Sequence, residues 1–323
     1  MSLPTPPRAG DSARVSVPAS SANLGPGFDT VGLALDLRDR YAVHVTGTPG
    51  LVVEVAGESA AKLPADETHL VARALRTALE ACGLPWLDGL AHEGLGLHLQ
   101  CHNAVPMSAG LGSSAAARVG GLGLGFSLAR GAALTGEDLT GEDLTLVNTH
   151  AGLLEGHPDN SSASVYGGLT VSWMPSLLAV RTAVLAVHPG IEPVVLLPAA
   201  ARLATVTARA VLPPHVPHSD AVRQAGRAAL LTHALTADPT LLLDATQDWL
   251  HQEIRRRAYP TSMTAVDALR SQGHAATISG AGPSVLVLAR VEAAGAVEAE
   301  ARSWGRDWRV LRPGVAQRGL LTH

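Results

Sequence analysis

The sequence predicts an α+β protein of two domains, and three observations lead to that prediction. The chain has 323 residues, which is enough for two cores of ordinary size. Hydrophobic residues make up 46% of it and charged residues 16%, which is typical of a compact globular protein. In both halves, segments with the period of a strand are mixed with segments of helical spacing, and this favours antiparallel sheets with helices on one side.

The first half begins with strands. Residues 1–12 are rich in proline and polar side chains and are expected to form a flexible leader. Helical spacing over 68–82, followed by Gly83, predicts the first helix. The strands predicted before it lie at 13–18, 31–37, 41–46 and 51–56.

The middle of the chain predicts two more helices and a strand. A helix of small residues runs from a glycine-rich loop to about residue 130, and another covers 144–154. Between them, the tandem repeat LTGED-LTGED at 134–143 is interpreted as a longer surface loop. A strand at 164–174 closes an N-terminal domain at 13–175.

A C-terminal domain at 176–323 is predicted to repeat the mixture of strands and helices. Its elements are strands at 182–187, 193–197 and 308–311, three helices between 218 and 271, a hairpin at 275–289 and a helix at 292–303.

The central feature of the chain is PMSAGLGSSAAAR at 106–118, where a glycine-rich loop lies between a strand pattern and a helix. Such a loop presents free backbone N–H groups and the positive end of a helix dipole to an anion, usually phosphate. Ser113 and Ser114 are good N-cap residues, and a hydroxyl there can also reach a phosphate-bound magnesium ion. The alternative is an ordinary Gly-Ser turn that caps a helix.

Composition excludes several classes of function. Lys62 is the only lysine and is not part of a GK[ST] motif, so a Walker A loop and a protein-kinase site are excluded. A net charge of −4 without basic, aromatic-rich runs argues against nucleic acid. Two cysteines fit a reduced cytoplasm, and no apolar stretch is long enough for a membrane span.

Polar clusters suggest the chemistry. A phosphate site without lysine calls for a divalent metal, which Glu155 and a loop serine can hold. Asp159 and Asn160 could orient or deprotonate a hydroxyl, and Arg209 and Arg255 are suited to a carboxylate. Together they fit a small substrate with a hydroxyl and a carboxylate, although helix caps and surface arginines remain the alternative for each residue alone.

Three separated motifs resemble the GHMP kinase superfamily. They are the loop around Asn23-Leu24, the central PMSAGLGSSAA and SGAGPSV at 279–285. Within the superfamily, the stretches similar to the homoserine kinase family are VPASSANLGPGFD at 17–29, EGHPDN at 155–160, TVTARAVLP at 205–213 and DWLHQEIR at 248–255. Ala281 and Ser284 stand where relatives often have serine and threonine, which is a mild departure.

The resemblance implies a GHMP-kinase-like two-domain fold, with a ribosomal-protein-S5-domain-2-like N-terminal domain and a ferredoxin-like α/β sandwich as the C-terminal domain. It implies ATP-dependent phosphorylation of the L-homoserine side-chain hydroxyl to O-phospho-L-homoserine, with ADP as the second product, in threonine biosynthesis. Mg²⁺ would accompany ATP. The resemblance also fits a cytoplasmic enzyme that forms a homodimer.

The resemblance further implies a role for each matching residue. Asn160 and Asp159 would be catalytic, with Asn160 at the reacting hydroxyl, and Ser114 and Glu155 would hold magnesium. The substrate would be bound by Asn23, Asp29, His157, Thr205, Arg209 and Arg255. The nucleotide phosphates would be bound by Pro106, Met107, Ser108, Ala109, Gly110, Leu111, Gly112, Ser113, Ser114, Ala115 and Ala116.

Other readings stay open at this point. A related kinase could act on mevalonate or a sugar, although a sugar has no carboxylate for the arginines and mevalonate has no ammonium for Asp29. A relative without activity could bind nucleotide alone, yet no loop glycine, metal-binding glutamate or arginine is missing. A dinucleotide-binding dehydrogenase lacks the third glycine and the βαβ series that it requires.

Overall fold

The computed structural model describes residues 4–131, 139–199 and 205–323, apart from the side chains of residues 205–207. Two sheets with packed helices confirm the α+β prediction. Among the described helices, none has the length and apolar character needed to cross a membrane.

The first sheet has seven strands and contains the longest strand of the described chain, β2. It follows the order β11-β1-β2-β4-β3, and β5 pairs with β2 and then with β6. The pair β3–β4 is parallel, and the other pairs are antiparallel. The strands are β1 Ser12–Asn23, β2 Gly27–Thr46, β3 Gly50–Gly57, β4 Gly96–Asn103, β5 Leu169–Ser176, β6 Ala179–Leu185 and β11 Leu321–Thr322.

Helices pack on the first sheet. They are α1 Leu70–Ala81, α2 Leu87–His92, α3 Ser113–Arg130, α4 Gly141–Glu155 and α5 Asp159–Tyr166. Helix α3 is buried on nearly all sides because it contacts α1 on one side and β1 and β2 on another. Its run of alanine and glycine permits this close packing, as the sequence predicts.

The second sheet has four antiparallel strands in the order β10-β7-β9-β8. Its strands are β7 Ile191–Pro198, β8 Ala276–Ile278, β9 Val285–Arg290 and β10 Trp308–Leu311. The helices of this half are α6 Thr205–Ala210, α7 His218–Thr236, α8 Leu242–Ala245, α9 Pro260–Ser271 and α10 Val291–Ser303, and short 3-10 turns lie at Ala60–Lys62, Pro239–Leu241 and Arg256–Ala258.

An apolar cluster joins the two halves. Leu33 of β2 packs in the same buried cluster as Leu235 of α7 and Leu286 of β9. Burial of apolar surface drives such association, so the two sheets share one core where they meet. This arrangement fixes the loops of the two halves against each other, and the candidate site lies among those loops.

The structure bears on three sequence predictions. The flexible leader at 1–12 stays a prediction, and the structure shows that the Thr5 N–H donates to the Ala129 carbonyl and the Gly10 N–H donates to the Val45 carbonyl. The strand predicted at 164–174 starts later, since its first residues end the serine-rich helix α5. The domain boundary at 175/176 remains a prediction, and the pairing of β6 with β5 favours a division between Leu185 and Ile191.

The second copy of the LTGED repeat caps a helix. Helix α4 begins at Gly141, earlier than predicted, and Thr140 is its N-cap. The Thr140 hydroxyl accepts the Asp143 N–H at 3.3 Å, while the Asp143 carboxylate accepts the Thr140 N–H at 2.9 Å. Residues 134–138 of the first copy lie outside the described residues.

We expect Thr140→Ala to lower the free energy of unfolding by about 1 kcal/mol, because the helix loses its capping side chain. Urea unfolding followed by circular dichroism measures the change. Thr264→Ala is the matched control, since that exposed hydroxyl bonds back to the Pro260 carbonyl of its own helix. An unchanged unfolding free energy for Thr140→Ala would contradict the cap.

Candidate active site

An open cleft with an empty volume of about 1180 Å³ lies between the two halves and collects most of the predicted site residues. The predicted residues that line it are Asn23, Met107, Ser108, Ala109, Gly110, Leu111, Gly112, Ser113, Ser114, Ala115, Glu155, His157, Asp159, Asn160, Arg209 and Arg255. Pro106 and Ala116 are buried at the ends of the loop. Asp29 is bonded to Arg209, and the Thr205 side chain is outside the described residues.

The glycine-rich loop is held by the other two family motifs. The Ser279 hydroxyl donates to the Gly110 carbonyl at 2.6 Å, and the Ser284 N–H donates to the Ala109 carbonyl at 3.2 Å. From the N-terminal motif, the Ser20 N–H donates to the Leu111 carbonyl at 3.1 Å. Two distant stretches of sequence therefore fix the backbone of one loop.

The entry to the loop depends on Asp39, which sequence reasoning missed. Its buried carboxylate accepts the backbone N–H groups of Ala104 at 2.7 Å and Val105 at 2.9 Å, and the Tyr41 hydroxyl at 2.8 Å. Burial raises the pKa of Asp39, and these hydrogen bonds act in the opposite direction. Asp39 falls between the strands predicted at 31–37 and 41–46, which the structure shows as the single strand β2, so the sequence pattern gave no signal of a buried carboxylate there.

The helix after the loop starts differently from the sequence prediction. Gly112 is the N-cap of α3, with φ of 68°, and Ser113 and Ser114 are the first helical residues. Neither serine is the N-cap, because the left-handed cap conformation strongly favours glycine. The Ser114 hydroxyl instead donates to the Glu155 carboxylate at 2.8 Å, and the Arg118 guanidinium contacts both groups.

The acid and amide at the start of α5 form a local network. Asp159 is 2% exposed, and its Oδ1 accepts the Asn160 N–H at 2.8 Å and lies 3.0 Å from His157 Nδ1. The Asn160 Oδ1 accepts the Ser20 hydroxyl at 3.0 Å. The Asn160 amide is thereby oriented at the cleft next to the glycine-rich loop.

The two predicted carboxylate-binding arginines differ sharply in their partners. Arg209 makes a two-pronged ion pair with Asp29. Arg255 is 1% exposed, and its described hydrogen bonds go to the Ala208 carbonyl at 2.7 Å and to His251 Nδ1 at 3.3 Å. Burial lowers the pKa of Arg255, yet an arginine stays charged.

Phe28 contacts both arginines and was missed by sequence reasoning. The guanidinium carbon of Arg209 is 5.4 Å from the ring centroid and that of Arg255 is 5.5 Å away, both within cation–π range. His251 stacks on the same ring, with centroids 5.1 Å apart. One aromatic side chain therefore contacts two cations and a histidine ring.

Apolar side chains also line the cleft. Tyr41, Leu63, Pro64 and Leu70 line it together with His69. The His69 Nδ1 accepts the Val71 N–H at 3.2 Å, so its proton is on Nε2, a buried atom without a protein partner. Burial lowers the pKa of His69, which keeps the ring neutral near pH 7.

Comparison with known proteins gives the same family for both halves of the chain. Residues 69–168 match the GHMP kinases N terminal domain, and residues 220–307 match the GHMP kinases C terminal domain. A homoserine kinase of Streptomyces coelicolor is 46% identical over 306 residues, covering 95% of this chain and 93% of the relative. One of Cutibacterium acnes is 47% identical over 279 residues, covering 86% and 89%.

Solved structures agree on the fold. The homoserine kinase of Cytophaga hutchinsonii superposes with a TM-score of 0.81 at 26% identity, covering 97% of this chain and 98% of the other. The mevalonate kinase of L. major superposes with a TM-score of 0.64 at 15% identity, over 98% of this chain and 100% of the other, and shows the fold alone.

We expect Gly110→Ala to weaken MgATP binding by at least about tenfold, because a strained loop backbone costs of order 1–3 kcal/mol. Gly110 has φ of 80°, and an added Cβ would lie 2.3 Å from the Ser279 carbonyl oxygen, which is backbone and cannot turn away. Calorimetric titration with MgATP measures the effect. Gly226→Ala is the control, since its Cβ would meet nothing within 4 Å; unchanged affinity for Gly110→Ala would show that the loop tolerates the side chain.

Proposed function

The chain belongs to the homoserine kinases within the GHMP kinases, and on that premise we propose that it transfers the γ-phosphoryl group of ATP to the side-chain hydroxyl of L-homoserine. The products are O-phospho-L-homoserine and ADP, and the reaction serves threonine biosynthesis. Relatives over nearly the whole chain carry the homoserine kinase name. They do not favour the mevalonate- or sugar-type acceptor that the sequence left open.

The observation that carries the proposal is the buried guanidinium of Arg255. A buried charge is costly unless an opposite charge or several hydrogen bonds compensate it. Among the described residues, Arg255 has no ion pair, and it lines the cleft beside Arg209. Asp29 and Asp248 act on Arg255 without forming an ion pair with it, so the substrate carboxylate would supply its direct ionic partner, and a sugar acceptor has no such group.

The remaining substrate contacts follow from this anchor. With the carboxylate at Arg255 and Arg209, the ammonium group would face Asp29, whose carboxylate is already paired with Arg209. Asn23 accepts the Asp29 N–H at 3.0 Å and donates to the Gly280 carbonyl at 2.9 Å, so it would hold the loop and keep one N–H for the substrate. His157 and Thr205 complete the proposed pocket.

ATP would lie with its phosphates along 106–116 and its base toward His69. Backbone N–H groups and the start of α3 would bind the phosphates. The Nε2–H of His69 would donate to a ring nitrogen of the base or to the ribose, since it has no protein partner. Pro106 and Ala116 would support the loop from below because both are buried.

Ser114 and Glu155 fit a magnesium ion. Their oxygens are 2.8 Å apart at the start of α3, and hydroxyl and carboxylate oxygens are ligands that Mg²⁺ accepts. Among the described residues, no group of three His, Cys, Asp or Glu could hold a metal alone, so the nucleotide phosphates would complete the site. When bound, the ion offsets the charge of the phosphate oxygens during transfer.

The protein's own part in the reaction would be positioning. Phosphoryl transfer depends mainly on alignment and charge stabilisation, and little covalent chemistry is left to side chains. Asn160, oriented by Ser20, would align the acceptor hydroxyl with the γ-phosphate. Asp159 would hold Asn160 and His157 in place, which makes its role partly structural.

We expect ADP release with MgATP to require L-homoserine, because mevalonate lacks the ammonium for Asp29, galactose lacks the carboxylate for the arginines, and the hydroxyl of L-serine is one methylene closer to the anchored groups and falls short of the γ-phosphate. A coupled assay with L-homoserine, mevalonate, galactose and L-serine measures the acceptor specificity. Turnover with a different acceptor would keep the kinase and overturn the substrate. No turnover with any acceptor, in protein that binds ATP, would favour a relative without activity.

We expect Asp159→Asn to lower kcat by less than about 10²-fold, because the amide keeps most of the local network and no dedicated base is needed. General bases contribute about 10²–10⁴-fold, so a loss of about 10³-fold with unchanged folding would identify Asp159 as a base. Steady-state kinetics with a circular dichroism check decides between them. Asp36→Asn, at an exposed carboxylate, is the control.

Two further properties rest on the family resemblance alone. We propose a cytoplasmic location and a homodimer for this chain. Size-exclusion chromatography with light scattering tests the second.

A further inference from the structure

The feature that neither the sequence analysis nor the proposed function uses is Arg118. This arginine lies one helical turn after Ser114 on α3, and its side chain is 22% exposed. A single nitrogen, Nη1, contacts both the Ser114 hydroxyl and the Glu155 carboxylate. The guanidinium therefore lies between the two groups that fit a magnesium ion.

Electrostatics explains why a cation is held there. Glu155 is the last residue of α4, where the partial negative charge of the helix dipole disfavours a carboxylate, and its side chain is only 10% exposed. A poorly solvated carboxylate in that position needs a positive partner. Arg118 supplies one from within the chain.

We propose that Arg118 is a resident cation of the metal position, so that Mg²⁺ reaches Ser114 and Glu155 only by displacing its guanidinium. The inference rests on the proposed function for the presence of Mg²⁺ and ATP. The metal can bind only while the guanidinium is away from Ser114 and Glu155. The apparent affinity for Mg²⁺ is therefore the intrinsic affinity multiplied by the fraction of molecules in which the guanidinium is away. In the absence of metal, Arg118 shields the phosphates of ATP from the Glu155 carboxylate.

Arg118 is thus expected to weaken the binding of MgATP and to strengthen the binding of metal-free ATP. Both effects can be measured by nucleotide binding, without an activity assay. Calorimetric titrations of MgATP, and of ATP in EDTA, are compared for the unmodified enzyme and Arg118→Met. We expect Arg118→Met to bind MgATP about tenfold more tightly. This factor corresponds to a guanidinium that is away from Ser114 and Glu155 in about a tenth of the unmodified molecules. We expect the same variant to bind metal-free ATP about tenfold more weakly, because the charge of Glu155 is then uncompensated.

Controls separate this role from others. Arg118→Lys keeps a cation and should keep both affinities closer to those of the unmodified enzyme, and Arg118→Gln replaces Arg118→Met if the latter does not fold. Arg76→Met removes the exposed Arg76–Glu80 ion pair on α1 and should change neither affinity. In a Glu155→Gln background, the effect of Arg118→Met on metal-free ATP should disappear.

Other outcomes overturn the inference. An equal loss of affinity for both nucleotide forms would make Arg118 a phosphate-binding residue, and no change in either would make it a surface residue. An unmodified enzyme that binds no nucleotide would instead contradict the proposed function. The titrations contain no acceptor, so an error in the assigned substrate leaves their result unchanged.

Discussion

The candidate site depends on how a loop of small residues is held in one conformation. The loop at 106–116 has little side-chain material with which to fix itself, so its shape is set by backbone contacts from elsewhere. Asp39 holds the backbone N–H groups before it, Ser20 and Ser284 bond to its carbonyls, and Ser279 bonds to Gly110. The two halves of the fold are therefore joined at the place where the phosphates would bind.

The loops that hold the proposed phosphate site also position part of the proposed acceptor site. Asn23 links the N-terminal motif to Gly280, and the backbone N–H of Asp29 is bonded to that same asparagine. Phe28, next to Asp29 in sequence, contacts both Arg209 and Arg255. A change in the contact between the halves would thus move the proposed phosphate site and the proposed acceptor site together. Their alignment is what phosphoryl transfer requires.

Local patterns in the sequence predicted much of this arrangement. These patterns arise from residues close in sequence. They are the strand, glycine-rich loop and helix, the hairpin at 275–289 and the polar clusters around Glu155 and Asp159. The comparisons confirm the family that the motifs indicated. The assigned roles of the individual site residues stay predictions, since they concern ligand contacts.

What the sequence could not provide is pairing over long distances. Arg209 and Asp29 are 180 positions apart, and no periodicity predicts that they form an ion pair. Arg118 lies on α3, whose other residues are mostly small and apolar and pack in the core. Its contact with Glu155, 37 positions away, could not be predicted from the sequence. The serines of the loop were misassigned as caps because serine and glycine both favour that position, and backbone geometry alone decides between them.

Arg255 matters most for acceptor recognition, because we propose that its buried guanidinium binds the substrate carboxylate. The most direct test of this proposal compares L-homoserine with 3-aminopropan-1-ol, which lacks the carboxylate, in the unmodified enzyme and in Arg255→Met, with Arg256→Met as an exposed control. We expect kcat/KM of the unmodified enzyme to favour L-homoserine by at least about 100-fold, and we expect most of this preference to be lost in Arg255→Met but kept in Arg256→Met. An equal loss of kcat/KM for both acceptors in Arg255→Met would contradict the proposal, since Arg255 would then support the fold of the pocket without recognising the carboxylate.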